Sequence, residues 1–291
     1  MTRALVWCMG VAFGVLPRGL LRILARAISA LWFYVIPVRR AWAEAHLAAA
    51  FTDMVPAERR RIVRLVFLHQ AQNTLEMLAW RHLWRAKSPK WVRVEGREHL
   101  EAARAAGPVV ILTAHCGNFD LLACHEARVF PLSVVSKTLS WKALNKAWMD
   151  IRTHLGLDIL PATGTLQAAR IALTQGRVVA LVLDQHSAER RAVEHEFLGI
   201  RARTSAALAT LAVRNGATIV PAFGAREKGV HVLRYQPALQ AETDGDARTQ
   251  VAATTLRCLE IVEAEVRARP EQWLWLHRRW KTREGIPLVL R

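Results

Sequence analysis

The sequence predicts an α/β fold: a mixed central sheet covered by helices, with a helical membrane-anchoring segment in front. Three observations carry this reading. Short apolar and β-branched runs at 109–113, 132–136, 178–183, 218–223 and 230–235 alternate with longer Leu- and Ala-rich stretches of helical character, and nothing suggests an all-β domain. The run at 178–183 is unbroken, as a strand buried on both faces is. Residues 1–40 hold six arginines, no Asp, Glu or Lys, and otherwise mainly apolar side chains. The chain therefore divides into an anchoring segment, 1–40, and one domain, 41–291, long enough to bury a sizeable core.

Within the first segment the apolar stretch 4–16 falls short of the roughly 20 residues a spanning helix needs, and Pro17-Arg18 interrupts it. Arg18, Arg22 and Arg26 then recur every four residues on one helical face, with Leu20, Leu21, Ile23 and Leu24 around them. That pattern suits an interfacial helix whose arginines meet lipid phosphates. A second apolar run, 28–38, ends at Arg39-Arg40, so the anchor is one tilted, interrupted helix or a shallow helical hairpin. A cleaved signal peptide is the alternative, but no small-residue cleavage site stands out. Lys and Arg outnumber Asp and Glu by 41 to 24, a net charge of +17, which calls for an anionic partner: a lipid surface, an acidic protein or nucleic acid. Four cysteines, Cys8, Cys116, Cys124 and Cys258, show neither paired spacing nor a zinc pattern, which fits a reducing compartment.

Along the rest of the chain, 40–85 reads as helical, with Gln72-Asn73-Thr74-Leu75-Glu76 as either a site-lining patch or a solvated face. The strand at 109–113 stops at His115-Cys116-Gly117-Asn118, and a helix over 119–127 follows, so His115 lies on a strand-to-helix turn with Asp120 in the first helical turn. The end of a strand in an open α/β sheet is a favoured place for a site. A carboxylate there can orient an imidazole, and Asp120 is the expected partner; a loop histidine beside a helix-capping acid is the plain alternative. On a helix over 141–155, Arg152 falls beside the apolar stripe of Leu144, Trp148, Ile151 and Leu155, where a charge needs a partner or must snorkel. Lys137 is a phosphate contact or merely solvated. Asp184 and Gln185 end the strand at 178–183, and 190–203 reads as a polar loop before a helix capped by Thr204-Ser205, an anion site with Arg201 and Arg203 beside it. Trp273, Trp275 and Trp280 interleave with Leu and run into His277, Arg278, Arg279, Lys281 and Arg283, which suits a membrane interface or stacked nucleobases.

His115-Cys116-Gly117-Asn118-Phe119-Asp120 resembles the His-x4-Asp/Glu block of glycerolipid and lysophospholipid acyltransferases, and its Gly-Asn core is similar to the bacterial lipid A biosynthesis (lauroyl/myristoyl) branch. Asp184-Gln185, Phe197-Leu198-Gly199 with Thr204, Pro221, and the stretch 270–281 resemble that family's later blocks in the same order. Many lipid A acyltransferases carry Glu where this chain has Asp120, which leaves the acceptor open. The resemblance implies a membrane-associated O-acyltransferase at the cytoplasmic face of a bacterial inner membrane. Its partners would be membrane lipids and the thioester of acyl carrier protein or coenzyme A, with no other cofactor, no metal and no nucleic acid. It also implies roles: His115 as general base, Asp120 orienting it, Arg152 in the groove, and Gly117, Asn118, Asp184, Gln185, Arg203 and Thr204 about the substrates. Two other classes compete: a thiol hydrolase using Cys116, disfavoured because adjacent residues rarely aim their side chains together, and a non-catalytic binding protein explained by charge alone.

Overall fold

The computed structural model describes residues 3–81, 90–136 and 142–281, so Lys137 and Arg283 lie outside the described residues. Four helices come first: α1 (Arg3–Gly14), α2 (Arg18–Ala30, extended by a π-helical turn over Leu31–Val35), α3 (Arg40–Ala50) and α4 (Pro56–Leu78). Pro56 sits in the first turn of α4, where its missing N–H would have found no helical partner. Strands and helices then alternate: β1 (Val92–Glu95), α5 (Arg97–Ala106), β2 (Val109–Thr113), α6 (Phe119–Glu126), β3 (Leu132–Ser136), α7 (Lys142–His154), β4 (Asp158–Pro161) and α8 (Thr165–Thr174). Next come β5 (Val178–Val182), β6 (Val193–Phe197), β7 (Ile200–Thr204), α9 (Ala207–Asn215), β8 (Thr218–Glu227), β9 (Val230–Tyr235) and the long α10 (Ala247–Ala268).

Seven strands make one sheet in the order β1-β9-β8-β2-β5-β3-β4. β9 pairs antiparallel with β8 and parallel with β1, and every other pair is parallel, so the sheet is mixed as expected. One face is packed by α3, α4, α8, α9 and α10, through Leu47, Phe67, Leu173, Leu208 and Val262 among others. The other is packed by α5, α6 and α7, through Leu100, Leu121 and Ile151. Covered on both sides, β2 and β5 at the centre carry the unbroken apolar runs visible in the sequence.

The N-terminal helices are part of this body. Ala25 packs on Ala71 and Leu75 of α4, and Phe33 meets Phe67 edge-on with ring centroids 5.5 Å apart. Arg18 departs from expectation: it donates to the Gly229 carbonyl at 3.4 Å and lies over the Trp91 ring at 4.5 Å, which turns it towards the protein. Arg22 and Arg26 stay exposed beside exposed Leu20, Ile23, Ile28, Leu31, Tyr34 and Val35. Among the described residues no single helix is long and apolar enough to cross a membrane; Arg18–Val35 and Arg40–Ala50, bent by 86° at their break, reach that length and composition only together.

Two further expectations are corrected. The stretch 190–203 is no simple loop: β6 and β7 form an antiparallel hairpin joined by Leu198 and Gly199, whose φ of 55° and 76° are those of a tight hairpin turn. Its charged residues hide the alternation, because Val193 and Phe197 turn inward while Glu194 and Glu196 turn out. The C-terminal tryptophans are core, not membrane-facing: Trp273, Trp275 and Trp280 are 2%, 0% and 2% exposed. They pack on one another and on Phe197, and two of their indole N–H groups donate to the Pro270 and Phe197 carbonyls. Such rings need both a large apolar contact and a polar acceptor, and the sheet end supplies both. Trp275→Ala should therefore cost about 3–5 kcal/mol of stability in chemical denaturation. Unchanged stability with reduced sedimentation on vesicles would restore the interface role.

Candidate active site

Parallel pairing of β2 with β5 sets Thr113 beside Val182, and the Leu183 N–H donates to the Thr113 carbonyl at 3.0 Å just past the strand. Two residues beyond that register, His115 and Asp184 leave the sheet level with each other. Asp184 Oδ1 lies 2.8 Å from His115 Nδ1, and its Oδ2 accepts the His115 backbone N–H at 2.8 Å and the Trp273 indole N–H at 2.7 Å. A buried carboxylate accepting at Nδ1 fixes the tautomer with the proton there, which leaves the Nε2 lone pair for the Gln185 side-chain amide 3.1 Å away. Burial alone would push the imidazole pKa down, but the Asp184 charge and hydrogen bond, helped by Asp120, outweigh it and raise the pKa above 6.5. Burial likewise opposes ionisation of Asp184, yet His115 and the Trp273 donor hold its carboxyl down at about 2.

The partner of His115 is thus Asp184 and not Asp120. From the first turn of α6 the Asp120 side chain turns towards α7, where its Oδ1 accepts from Arg152 Nη2 at 2.5 Å and its Oδ2 from the Trp148 indole at 3.0 Å. Arg152 also donates to Ser136 Oγ at 2.8 Å. The charge expected to need a substrate as partner therefore finds one within the protein.

Gly117 and Asn118 do not face the site either. The Gly117 N–H donates to the Gln272 carbonyl at 3.0 Å, and a Cβ at this residue, whose φ is 58°, would come within 2.6 Å of the Gly224 carbonyl oxygen, so only glycine fits. Asn118 caps α6 through Leu121 N–H and donates to Glu76 at 2.9 Å, while Asn73 donates to the Gly117 carbonyl at 2.7 Å. Arg226 closes the cluster with Glu76 at 2.6 Å and Asn73 at 2.9 Å. Burial works against the Glu76 charge, but His231 and Arg226 hold its pKa below the usual carboxylate range. The polar stretch 72–76 is therefore divided: Thr74 is exposed, while Asn73 and Glu76 clamp the His115–Asn118 turn from behind. Cys116, also in this turn, is buried with its thiol pKa pushed well up by burial and by the Asp184 charge, so it is no nucleophile.

In front of the turn opens a cavity of about 2000 Å³ lined by His115, Asp120, Arg152, Gln185, Thr204 and His277, among others. Neither Asp184 nor Arg203 lines it. Thr204 ends β7 and does not cap α9; its hydroxyl accepts from Arg279 at 2.6 Å. Arg203 is held by the Glu189 carbonyl at 3.1 Å and by Glu194 at 3.5 Å, so the expected anion site beside α9 is already occupied. Among the described residues no group of three or more His, Cys, Asp or Glu side chains is placed to hold a metal.

Residues 1–282 match the sequence profile of the bacterial lipid A biosynthesis acyltransferases. The chain belongs to this family. It is 28% identical over 256 residues to the lipid A biosynthesis lauroyltransferase of Escherichia coli, covering 83% of this chain and 79% of that one. It is 31% identical over 196 residues to the phosphatidylinositol mannoside acyltransferase of Mycobacterium tuberculosis, 64% of this chain but only 59% of the relative. A solved 1-acyl-sn-glycerophosphate acyltransferase from Thermotoga maritima superimposes with a TM-score of 0.40 at 13% identity, over 87% of this chain and 99% of that one.

Apart from Pro221, which lies within β8 beside Leu112, the separate sequence blocks by which this lipid A acyltransferase family member was legible meet at one place. Besides the Trp273 and Gln272 contacts, Arg279 donates to the Gln185 and Arg203 carbonyls at 2.9 and 3.0 Å. The C-terminal block thus fastens the two strand ends and the hairpin together. Sequence reasoning missed Arg226 altogether and gave Asn73, Glu76 and Gln272 no role of their own, although they lie in the polar stretch 72–76 and in the C-terminal block, because the four meet only in three dimensions. Glu76→Leu should cost about 3–5 kcal/mol, because it leaves the Arg226 charge buried without its carboxylate. Equal stability of the variant and wild type in urea would show the cluster to be incidental.

Proposed function

We propose that the protein is an O-acyltransferase that moves a fatty acyl group from a thioester of acyl carrier protein or coenzyme A to a hydroxyl of a lipid A precursor. The observation that carries this reading is the His115–Asp184 pair, with an Nε2 lone pair beside a cavity far larger than a single side-chain site. The acceptor hydroxyl takes the place of the Gln185 amide at Nε2 and gives its proton to the imidazole. Its oxygen attacks the thioester carbonyl, the C–S bond breaks as the carbonyl re-forms, and the leaving thiolate takes the proton back from His115. Asp184 holds the ring and offsets its positive charge; Arg152, fixed by Asp120, supplies a donor for the oxyanion. A phosphatidylinositol mannoside or related glycolipid is the second reading of the acceptor, favoured by the 31% identity to the mycobacterial enzyme.

The exposed apolar ridge of α2 and its π-turn, flanked by Arg22 and Arg26, supports contact with a membrane surface, which the family resemblance would make the cytoplasmic face of a bacterial inner membrane. Lipid mass spectrometry of purified protein incubated with acyl donor and candidate acceptors tests the activity: the expected product gains one acyl chain, and no product with any lipid acceptor refutes it. His115→Ala and Asp184→Asn should each lower kcat by about 10²–10⁴-fold, and together no further, because the two act as a unit. The base works only when deprotonated, so kcat/KM of the wild type should fall as pH drops through a value above 6.5. Asp184→Asn removes the raising charge and leaves burial, which moves that limb below 6.5; a limb that stays put would detach Asp184 from the base.

A further inference from the structure

His277 shares the cavity wall with His115 and takes no part in the hydrogen bonds that hold the catalytic turn. Its backbone is pinned on both sides. The His277 N–H donates to the Leu274 carbonyl at 3.3 Å, its carbonyl accepts the Arg279 N–H at 2.9 Å, and the preceding Leu276 carbonyl accepts from Arg39 Nη1 at 2.9 Å. Trp275, Leu276 and Arg279 around it are buried, so the segment has little freedom to swing. Among the described residues the ring makes no hydrogen bond: Nδ1 is buried without a partner, and Nε2 is not buried. A buried N–H without an acceptor is the less tolerated defect, so the proton of the neutral ring belongs on Nε2. The ring also stays neutral. Burial, the His115 charge, Lys281 and Arg39 all push its pKa down and only Asp184 pulls it up, which leaves it at about 4. The same couplings put His277 within electrostatic reach of both members of the His115–Asp184 pair.

We infer that His277 is a further catalytic residue, whose Nε2–H donates to the oxygen of the thioester carbonyl while the acceptor hydroxyl adds to it. The inference rests on the acyl-transfer reading and adds a residue to that same site. In the addition step the acceptor oxygen bonds to the carbonyl carbon, its proton passes to His115 Nε2, and the carbonyl π electrons move onto the oxygen. The negative charge leaves that oxygen again when the carbonyl re-forms and the C–S bond breaks. A donor held there from the start stabilises the charge with no reorganisation during the step. The kind of donor matters, because His115 turns cationic at the same moment. A second cation beside it would oppose that change, as Arg152 already lowers the His115 pKa, whereas a neutral imidazole offers an N–H and no net charge. With its pKa at about 4, His277 is also too weak a base to compete with His115 for the acceptor proton.

The test compares His277→Phe, His277→Gln and His277→Asn in the full chain, with the acyl-coenzyme A or acylated carrier protein and the lipid acceptor that the wild type turns over. Phenylalanine fills the space without a donor, a glutamine amide brings an N–H near the position of Nε2, and an asparagine amide brings one near that of Nδ1. His277→Phe should lower kcat about 10²–10³-fold, the usual effect of losing one oxyanion donor, with KM for donor and acceptor within about twofold of wild type. His277→Gln should recover about tenfold or more of that loss, and His277→Asn should not. If His277→Phe fails to fold, the ratio of kcat in the Gln and Asn variants decides alone. A ring that only packs would track thermal unfolding and show no preference for Gln over Asn. Equal kcat in those two variants, wild-type kcat in His277→Phe, or a loss carried by KM overturns the inference. Spectra of ¹⁵N-histidine-labelled protein give a second reading: a neutral His277 protonated on Nε2 at about pH 6 supports the inference, and a charged or Nδ1-protonated ring overturns it. A wild type that transfers from neither donor refutes the acyl-transfer reading and the inference together; an active wild type with indifferent variants refutes the inference alone.

Discussion

A single hydrogen bond between two neighbouring strand ends, His115 Nδ1 to Asp184 Oδ1, is the contact about which the sheet and its supports are arranged. Both residues leave the sheet two positions past a paired couple, so their alignment is inherited from the β2–β5 register. A slip of one residue would point one of them to the opposite face. The pairing is therefore protected on every side: apolar helices cover both faces of β2 and β5, Trp273 shields and bonds the carboxylate, and the Asn73–Glu76–Arg226 cluster holds the following turn.

Charge is arranged in two layers about the imidazole. Asp184 touches it, while the Asp120–Arg152 pair stands further off with opposing effects, the acid raising and the arginine lowering the His115 pKa. Because that pair is closed on itself, Arg152 can present a fixed donor to the cavity at little net cost to the base. Arg279 is a different case, a buried guanidinium with no carboxylate in contact among the described residues, whose Nη groups donate to the Gln185 and Arg203 carbonyls and to Thr204 while it lies over the face of Phe197. Burial lowers its pKa to about 10, so it stays charged and acts as a strut between segments distant in sequence.

Much of the fold was legible because the sheet is largely parallel and buried, which writes its central strands as apolar runs, and because helices such as Ala247–Ala268 carry clear periodicity. His115, Asp184, Gln185, Arg152 and Thr204 were singled out from strand ends and family blocks, and all meet at or behind one cavity. Their pairing was not legible: Asp120 is five residues from His115 and Asp184 sixty-nine, yet strand order decides which acid arrives, and sequence does not give strand order. The tryptophan block misled because alternating Trp, Leu and Arg reads alike at a membrane surface and in a core where ring N–H groups find carbonyls. The hairpin at 193–204 was masked by charges on its outward face.

The most direct test of this account reads the imidazole itself. In protein labelled with ¹⁵N-histidine, with His115→Gln to assign the signal, the account predicts a neutral His115 protonated on Nδ1 that titrates above pH 6.5. That signature should survive Asp120→Asn and vanish in Asp184→Asn. A His115 protonated on Nε2, or one that loses its tautomer with Asp120 and keeps it without Asp184, would contradict the account.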